Sequence, residues 1–102
     1  MRSRQHQRHN KPPLQRMLDR GQRTGRFAGT YILKARAGGN ILLRGVDTPA
    51  GYIGHIWITG DNVGQLPVPL PRGTRVSFIA DLEEAPFAGR VNLSDCREVR
   101  IL

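Results

Sequence analysis

From Phe27 to Leu102 the apolar residues recur with a period of two, and no stretch follows the period of a helix. This restricts the fold most, because a strand sends alternate side chains to opposite faces. Val76, Phe78, Ala80 and Leu82 share one face of a strand expected over Thr74 to Leu82. Ile56 and Ile58 share a face of a strand over Tyr52 to Thr59, leaving His55 and Trp57 on the other. A first strand, Arg26 to Ala37, sets Leu33, Ala35 and Ala37 against Lys34 and Arg36, and Gly29 within it marks a bulge or bend. Gly38-Gly39-Asn40 signals a hairpin into a strand over Ile41 to Val46, and residues 47–51 form the next turn. Pro67, Pro69 and Pro71 admit neither a helix nor a central strand, so residues 60–73 are a long connection. A loop over Glu83 to Gly89 precedes strands at Arg90 to Ser94 and Glu98 to Leu102, with a bend near Cys96. The expectation is an all-β body over residues 27–102, built as a small five-stranded barrel, since closure protects strand edges.

Residues 1–26 differ in kind. Residues 1–11 are polar, charged and aperiodic, which predicts no order in isolation. After Pro12-Pro13, Leu14, Met17 and Leu18 fall at i, i+3 and i+4, predicting a short helix that Gly21 ends. Two turns are marginal alone and need a surface to pack on. That surface is either the end of the body or a partner.

Charge follows the same division. Of the formal net charge of +8, residues 1–26 carry +7, and +1 remains on 27–102. A basic, largely disordered arm on a near-neutral body predicts a polyanionic partner, and nucleic acid is the commonest. Arg16, Arg20, Arg23 and Arg26 are candidate phosphate contacts. The single cysteine, Cys96, forms no intrachain disulfide, which argues against a small secreted domain and for a cytoplasmic home. No apolar run approaches the length of a membrane span.

The order of parts resembles that of an oligonucleotide/oligosaccharide-binding (OB) fold. The bent strand Phe27–Ala37, the hairpin Gly38–Asn40, the strand carrying His55-Ile56-Trp57-Ile58, the connection Gly60–Gly73 and the piece Arg72-Gly73-Thr74-Arg75-Val76-Ser77-Phe78-Ile79-Ala80 carry the resemblance. It spans about Arg26 to Leu102 and is one of layout. Many OB domains have a helix where this chain has its proline-rich connection, and the aromatic motifs of the cold-shock branch are missing. An SH3-like barrel is the rival arrangement. The resemblance implies binding of single-stranded DNA or RNA by strands two and three and the loops flanking them. Carried over by position, it implies Trp57 and His55 on strand three, Arg44 on strand two, Lys34 and Arg36 beside the first hairpin, and Phe87 and Arg90 in the last loop. Against this stand a core role for Trp57, a barrel-plugging role for Phe87 and a merely solvated face for the basic residues.

Reaction chemistry is not expected. His6 and His9 have the spacing of a ligand pair but no supporting Cys or carboxylate nearby, so no metal is expected. Asp81, Glu83 and Glu84 read as a solvated loop, and Gly38-Gly39 lacks the helix and lysine of a phosphate loop. The expectation is a non-enzyme without cofactors. The alternative is a protein-interaction subunit of a larger replication or ribonucleoprotein assembly, pairing with a protein partner or another copy of itself.

Overall fold

The computed structural model describes residues 12–67, 69–84 and 91–102. A helix, α1 (Pro13–Asp19), precedes five strands: β1 (Thr24–Lys34), β2 (Ile41–Thr48), β3 (Gly51–Ile58), β4 (Arg75–Glu84) and β5 (Val91–Ile101). All pair antiparallel in one sheet of order β3-β2-β1-β4-β5. The sheet is open: β3 and β5 approach each other but share no ladder among the described residues.

Buried apolar side chains come from every strand and form one cluster, so the sheet curls around a common interior in a barrel-like manner. Phe27 and Phe78, partners across β1 and β4, place their rings 5.9 Å apart at its centre. Val76, Phe78, Ala80 and Leu82 are all buried, as their alternation requires. Proline at its first turn starts α1, whose Leu14 and Met17 enter the same core. The helix therefore packs on the body, and its Arg16 donates from Nη2 to the Ala50 carbonyl at 2.7 Å. Residues 1–11, expected to lack order, lie outside the described residues.

Several boundaries differ from the sequence-based expectation. β1 begins at Thr24 and ends at Lys34, because residues 36–39 turn with Gly38 and Gly39 at positive φ. The β1–β2 register does shift between Ala28 and Thr30, but the extra residue belongs to β2, where Asp47 to Arg44 spans one residue more, so Gly29 lies opposite a bulge and not within one. A second shift between Tyr31 and Leu33 leaves Tyr31 buried and Leu33 exposed. β4 continues through Glu84, so Asp81, Glu83 and Glu84 lie on a strand and not in a loop. The two expected final strands are one, β5; its bend takes the form of register shifts opposite Ile79 and positive φ at Asp95 and Glu98.

The long connection contains a 3-10 turn, Gly60–Asn62, where no helical element was expected. Val63 and Leu66 reach the core from this connection. Gln65 fixes it to β5: its backbone N–H donates to the Cys96 carbonyl at 2.8 Å, and its Oε1 accepts from the Glu98 N–H at 3.2 Å. The connection thus lies against the irregular part of β5.

Cys96 is fully buried at that irregularity. Burial, with the Asp95 carboxylate adding to it, pushes its thiol from 9.0 up to about 12. Below pH 9 the folded and unfolded chains both hold the proton. Above it the unfolded chain releases the proton first, so stability falls by about 1.4 kcal/mol per pH unit until the folded thiol ionises. Urea unfolding of wild type and Cys96→Ala should show a free-energy difference that is constant below pH 9 and shifts against the wild type above it. A constant difference through pH 11 would contradict the burial argument.

Candidate nucleic-acid interface

β2 and β3 hold a regular register, yet the side facing the core changes along them. Ile41, Leu43 and Val46 are buried on β2, so the alternation breaks between Leu43 and Val46. Gly45, at φ +59°, is the residue that allows it, since a left-handed backbone costs glycine little. As a result Arg44 points outward before the break and Asp47 after it. On β3, Trp57 and His55 are outward on one side of Gly54, and Tyr52 is outward on the other.

The outward surface of β1, β2 and β3 consists of two adjoining rows. Leu33 pairs with Leu42, and Leu42 with Trp57, which makes an apolar row across three strands. Leu33 is 41% exposed and Trp57 48%. Next to it, Thr30 pairs with Arg44, and Arg44 with His55, making a polar row. Beyond Arg44 the surface dips into an open groove of about 390 Å³, lined by Thr30, Ile32, Arg44, Gly45, Tyr52, Arg72 and Gly73. Arg75 supports its floor, donating to Thr30 Oγ1 at 3.2 Å and the Gly45 carbonyl at 3.1 Å while pairing with Asp47 at 2.8 Å.

The arginines divide by partner. Arg26 donates to Ser77 Oγ at 3.1 Å and pairs with Glu98 at 3.4 Å. Arg97 pairs with Asp81 at 3.0 Å and Asp95 at 3.2 Å. Arg26 of β1 and Arg97 of β5 are therefore partnered by carboxylates, whereas Arg100 of β5 is exposed and has none among the described residues. Among the described residues, Arg44 and Arg72 have no carboxylate partner, and no acidic side chain lines the groove.

Comparison with protein-family models, with curated proteins and with solved structures yields no match. The site stands on its own geometry.

Of the residues picked out from sequence, Trp57, His55 and Arg44 come together on this face. Lys34 and Arg36 are exposed at its margin, at the end of β1 and in the following turn. Arg20 and Arg23 are exposed between α1 and β1. Arg16 and Arg26 are not gathered into it: the first is held by the Ala50 carbonyl, the second by Ser77 and Glu98. Phe87 and Arg90 lie outside the described residues. Sequence reasoning passed over Tyr52, Arg72 and the exposed Leu33. The glycine inside β2 was the available signal for Tyr52, because a mid-strand glycine often accompanies a change of face.

Proposed function

We propose that this chain is a non-enzymatic module that binds single-stranded DNA or RNA across the outward face of β1, β2 and β3. The observation that carries the proposal is the apolar row Leu33–Leu42–Trp57 lying directly beside the Arg44–His55 row. A half-exposed indole offers a face on which a base stacks, worth about 1–3 kcal/mol. Arg44, without a carboxylate of its own among the described residues, is free to fork onto a phosphate. The OB-like arrangement is favoured by five strands curled into a partly open sheet, with the face in question on strands two and three. Residues 1–11 add Arg2, Arg4, Arg8 and Lys11 as sequence-independent attraction.

The test is a fluorescence titration of Trp57, the only tryptophan, with single-stranded DNA, RNA and duplex at low salt. It should be run on the full chain and on a chain starting at Pro12. Truncation at residue 26 would remove Leu14 and Met17 from the core and would test folding instead. Quenching by single strands in both chains is expected, and Trp57→Ala should weaken binding by about 5- to 100-fold. A flat signal with binding lost on removal of residues 1–11 would assign binding to the arm alone. A second reading, docking of a protein strand, is favoured by the outer edge of β3, which pairs with no further strand among the described residues. It gains if the full chain ignores every oligonucleotide.

A further inference from the structure

The groove beside the two rows was not part of the reading above, and its chemistry is specific. It offers two guanidinium groups, Arg44 from β2 and Arg72 from the connection, with no carboxylate among its lining residues. One wall is Tyr52, 66% exposed, and the floor is Gly45 and Ile32. A side chain at Gly45 would project toward the Tyr52 hydroxyl and Arg75, so glycine there leaves the space open. The volume suits one small polar ligand of nucleotide size. Arg75 cannot serve as a third anion ligand without giving up Asp47, Thr30 and the Gly45 carbonyl; it positions the floor.

Arg44 belongs to both the polar row and the groove, which makes the two surfaces continuous. Tyr52 lies five residues from Trp57 along β3, a distance of about 17 Å in an extended strand. A strand stacked on Trp57 and following Arg44 is led directly into the groove.

We propose that the groove is a second nucleotide subsite for the same single strand, with the phosphate held between Arg44 and Arg72 and the base against the Tyr52 ring. This rests on the binding function proposed above and adds to it a footprint and a direction. Tyr52 and Arg72 are exposed, so changing them removes little that holds the fold.

An oligothymidylate ladder from dT2 to dT12, followed by Trp57 quenching and by calorimetry, tests it on the full chain. Affinity should rise steeply at the length that first spans from Trp57 to Tyr52. Arg72→Gln and Tyr52→Ala should each lower affinity for longer oligomers by about 10-fold, leaving dT2 and dT3 unchanged, and Tyr52→Phe should bind as wild type because the ring is kept. Quenching that is normal in Arg72→Gln and Tyr52→Ala at every length overturns the subsite while leaving the binding function standing. Absence of quenching by any oligomer at low salt overturns both. An oligouridylate ladder run in parallel shows whether the subsite serves DNA or RNA.

Discussion

Gly64→Ala is expected to lose about 3 kcal/mol or more of stability, a large part of what a domain of this size has. Gly64 has φ +62°, where a side chain costs about 1–2 kcal/mol by itself. The larger part is contact. A Cβ there would overlap the backbone of Cys96, meeting its carbonyl oxygen first and then its nitrogen and carbonyl carbon. These atoms cannot rotate away as a side-chain tip can. The Cys96 carbonyl is also the acceptor for the Gln65 N–H, so relieving the overlap breaks the bond that holds the connection to β5. Val63 and Leu66 would then leave the core. Gly21→Ala is the matched control: it has φ +80° and nothing within 4 Å of a new Cβ, so only the backbone term applies. Urea unfolding of the two variants should separate them by about 2 kcal/mol. Equal losses would mean that the connection does not sit against β5 as described.

The second large effect is on binding, through salt. Lys34, Arg36, Arg44 and Arg72 surround the face without a carboxylate partner among the described residues. If all four neutralise phosphates of a single strand, the slope of log affinity against log salt is about −3, or roughly 50-fold between 50 and 200 mM. The four cations of residues 1–11 would take the slope to about −6 and the loss above 1,000-fold. Removing residues 1–11 should therefore halve the slope, and Arg44→Gln should reduce it by about 0.7 in either chain. Arg26→Gln and Arg97→Gln should leave it unchanged, because those guanidiniums already serve Glu98, Asp81 and Asp95. A slope near zero, or one equally sensitive to Arg97 and Arg44, would count against the face described.

Local chemistry made much of this architecture legible. The alternation on β4, the turn at Gly38–Gly39 and the outward phase of Trp57 were all accessible, because each depends on neighbours two or three residues away. The residues that escaped are those whose surroundings come from far along the chain. Arg26 looked like part of a basic arm, yet its partners Ser77 and Glu98 are 51 and 72 residues distant. Arg72 had no sequence neighbour to point it at Arg44 or Tyr52; the connection brings it there. Leu33 was grouped with Ala35 and Ala37, but a register shift between strands decided its face. Closure of the barrel follows from size and edge protection alone, whereas among the described residues the sheet stays open and the connection lies against β5.

The contrast between the arginines held by carboxylates (Arg26, Arg75 and Arg97) and the unpaired cations gathered around the outward face of β1 to β3 also has a kinetic side. A molecule charged evenly over its surface meets a polyanion in random orientations, and most collisions fail. Here four cations without a carboxylate partner among the described residues, Lys34, Arg36, Arg44 and Arg72, gather around one face, so the field there turns an incoming strand toward it. Such steering raises the association rate and fades with ionic strength, while dissociation depends on stacking and close contacts. Charge and stacking on this one face thus divide capture from retention in time: one property of the surface governs how quickly a complex forms, and another how long it lasts.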